Sequence, residues 1–375
     1  MNDFSKNDYY FMQLALKRAD RMLGLVAPNP AVGCVLVKDK RVIGSGATMK
    51  TGRPHAETTA IDHAIGLYGR DHLKGATAYI TLEPCNHQGQ TPPCTRALID
   101  AGIKTVIIAA LDPDPRVNGS GMEALKAAGI ETHFGLMESE ASDINQGFLK
   151  AKLQSKPMVS LKIATSLDGK LALNNGKSQW ITNLQARQHG HFLRARHDAL
   201  LIGAGTLRAD DPQLNCRLPG LESSSPIPVI LQGKMPLPPA ATLLESNPNT
   251  IILYPSKHDY CDLYPDHVEK IAIDDYEDHA LSLDAVLAAL AGKGITRLLV
   301  ESGQKLTTSF IQSKLTDYLY HYVSPRAIGN DGLPAIGELG LEGLNQCPHF
   351  HKSDQLSFDQ DWVNIYKRID DDFYG

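Results

Sequence analysis

The chain has 375 residues, 42% of them hydrophobic, a formal net charge of −5 and a pI near 6.3. That length suits about two domains at ~150 residues each, and the acidic balance argues against a surface that coats nucleic acid, although a local cluster could still hold one phosphate. No apolar run approaches the ~20 residues of a membrane span, MNDFSKNDYYFM has no signal pattern, and six cysteines at this length make no disulfide framework, so composition predicts a soluble cytoplasmic enzyme.

In the first half, Phe11, Leu14, Ala15, Ala19, Met22 and Leu23 recur at near-helical spacing, which predicts a helix over 7–23 that ends before Pro28 and Pro30. Val32–Val37 and Val42–Ala47 flank Lys38-Asp39-Lys40-Arg41 and predict a hairpin. A helix is expected from about His55 to Ile65, a buried strand over Ala76–Leu82, and a helix over Cys94–Ala101 introduced by Pro92-Pro93 and closed by Gly102. Lys104–Ala110 reads as strand, Met122–Ala128 as helix and Glu131–Phe134 as strand. Residues 135–157 lack strand character; Phe148–Lys152 finishes a helix, and the domain boundary falls near 150–156. Strands alternating with helices mean an α/β layer structure.

His55-Ala56-Glu57, Glu83-Pro84-Cys85 and Cys94 carry the chemistry of this half. One imidazole and two thiolates leave the fourth position of a tetrahedral zinc open, the mark of a catalytic site. The metal lowers the pKa of a water held there, and Glu57 is the natural proton shuttle, the ligand logic of zinc nucleobase deaminases. On a regular helix, residues two apart differ by roughly 200°, so His55 and Glu57 converge only at a helix entrance. Helix N-termini also favour thiolate and hydroxide. The plainer alternatives are a disulfide, which a reducing cytosol opposes, and a structural zinc clip, for which His87 is the nearby fourth ligand. Cys34, Cys216, Cys261 and Cys347 are scattered and read as small apolar side chains.

Eight residues separate the two cysteines. The segments EPCNHQGQTPPCT, APNPAVGCVLV and RPHAE together resemble the deaminase domain of the bifunctional riboflavin-biosynthesis enzymes, which fuse a pyrimidine deaminase to a reductase. The resemblance runs from about Tyr9 to about Gly329. It implies a cytidine-deaminase-like α/β/α fold over 1–150, with Asn29 and His87 holding the pyrimidine and Glu83 as an orienting group rather than an acid.

The second half predicts strands at Met158–Thr165, Leu200–Ile202, Pro228–Leu231, Thr250–Leu253, Glu269–Ile273, Arg297–Glu301, Tyr318–Val323 and Val363–Ile369, and helices at Asn183–Arg196, Ser282–Ala291 and Leu306–Gln312. VESGQKLTTSFI places Ser302 and Gly303 where backbone amides at a helix start can bind a phosphate, although such a junction is often just a turn. GAGTLRADDPQLNCR allows close backbone approach at Gly203 and Gly205, and reads equally as an ordinary loop with a helix cap. KIATSLDGKLAL is followed by SQWIT, where Trp180 covers either a flat cofactor or the core. No GxGxxG occurs, so a Rossmann domain is not supported.

In this order the three segments resemble the reductase domain of the same family, which is similar to dihydrofolate reductase and uses NADPH. The resemblance places it over 151–375. It implies cofactor contacts from Ala164, Trp180, Thr206, Asp210 and the loop from Gly303, and substrate contacts from Lys162, Ser178, Arg194, Leu214, Arg217 and Glu301. Arginine forks suit a ribose phosphate; from the residues alone, Arg194 and Arg217 read as surface ion pairs. The substrate implied is a pyrimidine ribose phosphate, deaminated with zinc and then reduced at the ribose with NADPH, and the family's habit implies a homo-oligomer, dimer or tetramer. The chain departs from the pattern at Gln232-Gly233, where D-S is common, at Asn215 in place of Thr, and at Ser324–Gly329. Three rivals stand beside this reading. A tRNA or DNA base deaminase should carry a basic stripe; a zinc-stabilised binding module needs neither Glu57 nor NADPH; a deaminase with a decayed reductase half rests on Gln232-Gly233.

Overall fold

The computed structural model describes residues 4–88, 92–113, 119–177, 180–258, 260–277 and 280–368. The chain divides into two compact units, Met1–Ser155 and Lys156–Gly375. No helix among the described residues is long and apolar enough to cross a membrane.

The first unit runs α1 (Lys6–Asp20), β1 (Gly33–Lys38), β2 (Arg41–Ala47), α2 (Ala56–Tyr68), β3 (Thr77–Leu82), α3 (Cys94–Asp100), β4 (Thr105–Ala110), α4 (Ser120–Ala127), β5 (Glu131–Phe134) and α5 (Glu138–Gln154). A Ser5–Asp8 capping box starts α1. Among the described residues the strands form one sheet in the order β2-β1-β3-β4-β5. The β1–β2 and β1–β3 pairs are antiparallel, and β3–β4–β5 is parallel.

Two glycines show how both faces are covered. A Cβ on Gly33 would sit 1.9 Å from the Ala15 carbonyl oxygen of α1, and one on Gly46 would sit 2.5 Å from the Ala56 carbonyl oxygen of α2. Gly33 and Cys34 point to opposite faces of the pleat, and Gly46 lies opposite Cys34. So α1 packs on one face and α2 on the other, each close enough to exclude a side chain. One apolar cluster, including Met12, Leu36, Ile80, Leu98, Ile108 and Leu125, fills both layers. The α5 helix is longer than the sequence reading expected, because its buried face is made of Ala141, Asn145, Gly147 and Phe148. Small and polar residues there give a weak apolar stripe.

The second unit runs β6 (Met158–Thr165), β7 (Lys170–Leu173), α6 (Leu184–Ala195), β8 (Ala199–Gly203), α7 (Ala204–Asp210), β9 (Ile227–Leu231), α8 (Thr242–Ser246), β10 (Ile251–Pro255), β11 (Glu269–Ile273), β12 (Tyr276–Glu277), β13 (Ala280–Leu281), α9 (Leu283–Gly292), β14 (Arg297–Glu301), α10 (Gln304–Gln312), β15 (Tyr318–Val323), β16 (Gly332–Pro334), β17 (Phe350–Phe358) and β18 (Asp361–Arg368). Among the described residues the main sheet has the order β11-β10-β9-β8-β14-β6-β15-β18-β17. It is parallel from β11 to β15 and antiparallel through β18 and β17. Successive residues of the central strands enter opposite cores: Leu201, Leu298 and Val300 join one cluster, and Leu200, Ile202 and Leu299 the other. That explains the unbroken apolar runs, which fit a parallel sheet covered on both faces.

Two local features go beyond the sequence reading. Residues 204–210, an alternative loop on sequence, form α7 with Gly203 as its N-cap. The strand β17 was not anticipated, because FHKSDQLSF is mostly exposed and polar on the sheet's edge.

Candidate active sites

The first site forms where β3 and the starts of α2 and α3 meet. His55 is the N-cap of α2 with extended backbone, φ −71° and ψ 163°. This break from helical geometry lets it share a site with Glu57 in the first turn. Cys85 lies three residues beyond β3, and Cys94 is the first residue of α3. One ligand atom from each of His55, Cys85 and Cys94 lies within 4.8 Å of the others, and no further residue joins this cluster among the described residues. The His55 Nδ1 is 3.2 Å from Cys94 Sγ and 3.7 Å from Cys85 Sγ, and the Cys94 amide donates to Cys85 Sγ at 3.4 Å.

The electrostatics suit a cation. A hydrogen bond from the Cys94 thiol, and then one from His55, draws the Cys85 thiol down to about 4 despite burial, while the same sharing pushes Cys94 up. Glu57 is only 3% exposed. Burial pushes its carboxyl up, and Cys94 lies within hydrogen-bonding reach. One nitrogen and two sulfurs around a buried carboxyl fit a borderline-soft metal such as zinc.

The surrounding shell was largely hidden from the sequence. Glu83, 4% exposed, accepts from the amides of Gly119 at 2.9 Å, Gly121 at 2.9 Å and Met122 at 3.1 Å. It therefore ties the start of α4 to the strand end that carries Cys85, as an orienting group. Thr95 donates to Asn86 Oδ1 at 2.9 Å, which braces the segments holding the two cysteines. Buried Asn145 accepts from the Ala31 amide at 2.9 Å and donates to its carbonyl at 3.1 Å, fixing the loop that carries Asn29. Its sequence signal is one polar residue on the inner face of a helix. Asn29 is half-buried and donates to Val26 and Thr51 carbonyls at 3.3 and 3.4 Å, and His87 is exposed. Neither belongs to the metal cluster.

The second site lies along the carboxyl ends of the parallel strands, where open α/β sheets bind ligands. Lys162 and Glu301 are cross-strand neighbours on β6 and β14, 3.9 Å apart. Arg194 grips Glu301 through Nε and Nη2, each at 2.9 Å, and donates from Nη1 to the Asn215 carbonyl at 3.0 Å. Burial alone would raise the Glu301 carboxyl, but Arg194 and Lys162 outweigh it and hold it at about 2. The ion pair expected for Arg194 from its residue type thus exists, partly buried and made to another candidate substrate residue.

Leu214 is 3% exposed with φ +52°, and Asp211 has φ +38°, so the chain turns through left-handed backbone before Arg217. Arg217 is exposed beside His191. The starts of α7 and α10 follow the neighbouring strands β8 and β14, and neither has a side-chain cap. A Cβ on Gly205 or Gly303 would meet nothing within 4 Å. Uncapped amides beside open space fit the phosphates of a dinucleotide such as NADPH. Thr206 is half-buried on α7, Asp210 is exposed at its end, and Ala164 is half-buried on β6. Trp180 is 57% exposed with Arg187 over its ring at 4.4 Å, so it is not a core residue. Ser178 lies outside the described residues. Gln232 is 0% exposed, and its Oε1 accepts from Tyr264 at 2.9 Å.

Comparison with known proteins completes the picture. The family described as the cytidine and deoxycytidylate deaminase zinc-binding region matches residues 5–110, and the RibD C-terminal domain matches residues 157–363. The riboflavin biosynthesis protein RibD of Aquifex aeolicus (strain VF5) is 37% identical over 96% of this chain and 98% of its own. The structure of Acinetobacter baumannii RibD, form 1, has a TM-score of 0.87 at 38% identity, covering 97% of this chain and 99% of that one. A Thermotoga maritima diaminohydroxyphosphoribosylaminopyrimidine deaminase/5-amino-6-(5-phosphoribosylamino)uracil reductase has a TM-score of 0.86 at 35% identity, with 97% and 99% covered. On the fold, the paired sites and these matches together, the chain belongs to the RibD family of riboflavin biosynthesis enzymes, bifunctional proteins that join a zinc-dependent deaminase to an NADPH-dependent reductase.

Proposed function

We propose that residues 1–150 deaminate 2,5-diamino-6-(5-phosphoribosylamino)pyrimidin-4-one and that residues 151–375 reduce the ribosyl group of the product to ribityl. The observation that carries the first half is the convergence of His55, Cys85 and Cys94 beside buried Glu57. His55, Cys85 and Cys94 would hold zinc, which would supply Lewis acidity that makes water nucleophilic near neutral pH. Glu57 takes the proton of that water and passes it to the departing amino nitrogen, which leaves as ammonia. Its raised affinity for a proton, caused first by burial, suits this transfer. Asn29 and His87 hold the pyrimidine. Glu83 keeps the Cys85 segment in place through the three α4 amides.

In the second half NADPH would supply a hydride to C1 of the ribose, while the bond from C1 to the ring oxygen opens and that oxygen takes a proton from solvent. Ala164, Trp180, Thr206, Asp210 and the Gly303 loop hold the cofactor. Lys162, Ser178, Arg194, Leu214, Arg217 and Glu301 hold the sugar phosphate. The Lys162–Glu301–Arg194 group supports this reading, because Glu301 at the carboxyl end of β14 is held between Lys162 on the neighbouring strand β6 and Arg194 on α6. The chain works as a homo-oligomer, dimer or tetramer, in the cytoplasm.

One assay tests the whole. Supplied with the diaminopyrimidinone ribose phosphate and NADPH, the full chain releases ammonia and then loses absorbance at the reduced-nicotinamide band. Ammonia without NADPH oxidation would leave the deaminase reading and sink the reductase one.

A further inference from the structure

Lys162 is held differently from its charged neighbours. Glu301 gives its two oxygens to Arg194 at 2.9 Å each and lies 3.9 Å from Lys162 Nζ, beyond hydrogen-bonding distance. Among the described residues the Lys162 ammonium makes no hydrogen bond. It has a ring instead: Nζ sits over the face of Tyr322, 5.5 Å from the centroid. Strand pairing brings the two together. Lys162 is opposite Tyr320 on β15 and Ala164 is opposite Tyr322, so all four side chains leave the same face of the sheet. On that face α6 covers the lysine stem; a Cβ on Gly190 would lie 4.0 Å from Lys162 Cε.

Tyr322 is 0% exposed, and a buried phenol needs a hydrogen-bond partner. His189 on α6 supplies it, with Nδ1 2.6 Å from Tyr322 Oη. The imidazole packs in turn against Phe358 at 5.1 Å and Phe192 at 6.0 Å between centroids. Burial holds the His189 pKa below its ordinary value, and burial followed by Glu301 pushes the Tyr322 phenol up. Both rings are therefore uncharged near neutral pH, and one neutral hydrogen bond fixes the pose of the phenol. A ring face attracts an ammonium through its quadrupole. Unlike a carboxylate at 2.9 Å, it leaves the N–H donors open to another acceptor.

We propose that Tyr322, fixed by His189, is a positioning residue that aims the Lys162 ammonium at the ribose oxygens of the reductase substrate. The assignment rests on the reading above, in which Lys162 contacts that substrate. Tyr322 and His189 act through Lys162 and not on the sugar.

The test is a set of double-substitution cycles on the full chain. The readout is the Kd of the deaminated ribose phosphate by calorimetry, with NADP+ bound so that no hydride is available. Tyr322→Leu removes the ring and raises this Kd about tenfold, the scale of one partly desolvated cation–π contact. Tyr322→Phe keeps the ring and loses only its tie, for a rise of about threefold. His189→Ala costs the same, and the two together cost no more than either. On a Lys162→Met background none of these substitutions raises the Kd further. The Kd of NADP+ and the release of ammonia stay at wild-type values. If the Tyr322 and His189 variants lose the same factor with Lys162→Met as without it, they serve only the core and the proposal is overturned. If Lys162→Met raises the Kd and the others leave it unchanged, the proposal falls while the substrate reading stands. If Lys162→Met itself leaves the Kd unchanged, that reading falls and the proposal with it. Should Tyr322→Leu fail to fold, the Tyr322→Phe and His189→Ala cycles give the same decision.

Discussion

The two sites of this chain are built in different ways. In the first unit three ligand atoms lie within 4.8 Å of one another, drawn from a strand end and two helix entrances only thirty-nine residues apart in sequence. In the second unit the candidate groups spread from β6 across β14 to β8, and three of the charged ones are paired with each other: Arg194 and Lys162 with Glu301. A metal site concentrates donors whose repulsion a cation relieves. A cofactor groove neutralises its own charges and leaves backbone amides open. The first should fail sharply when one atom is lost, and the second gradually.

The largest expected effect comes from the metal cluster itself. Cys94→Ala, or removal of zinc by a chelator, abolishes ammonia release while NADPH oxidation with the deaminated substrate continues; zinc content by atomic absorption falls with activity. Loss of both activities together would break the separation of the two sites. Next is Glu57→Gln, which keeps zinc but lowers ammonia release about a thousandfold, the middle of the range for a general acid–base group. Ammonia formed at the wild-type rate would refute its role.

Smaller effects sharpen the other side of the comparison. Glu301→Gln leaves Arg194 and Lys162 without their carboxylate, costs about 3 kcal/mol of stability in the second unit, and raises the KM for the ribose phosphate. Thermal melts and NADPH oxidation check this, and the zinc content should not change. The smallest effect is a pH slope from His197, which is 1% exposed. Its Nδ1 donates to the Leu193 carbonyl at 2.7 Å, and its Nε2 accepts from Ser160 at 2.8 Å. Burial first, then Arg297, pushes its pKa down to about 3. The unfolded chain binds this proton near pH 6.5 and the folded chain resists it, so stability is full above about 6.5 and declines as pH falls toward 3. Between pH 7 and 5 this contributes about 2 kcal/mol. His197→Asn should flatten that part of the stability profile, and an unchanged slope would remove His197 as its source.

Much of this molecule was legible as sequence. The His55–Glu57 and Cys85–Cys94 motifs, the alternation of strand and helix, and the strands Met158–Thr165, Arg297–Glu301 and Tyr318–Val323 are local: ligand type, spacing and apolar runs are written in consecutive residues. The spacing of His55 and Glu57 even required a helix entrance, which the N-cap geometry of His55 supplies. Partners that meet only through folding were not legible. Glu83 finds the α4 amides 36 to 39 residues away, Asn145 reaches Ala31 across 114, and Arg194 joins Glu301 across 107. A polar side chain carries no mark of its distant partner in its own neighbourhood, because desolvation makes it choose whichever group the packed sheet brings near. Sequence therefore determined which chemistry each half carries. The tertiary structure alone decided how those groups are braced, paired and left open to a ligand.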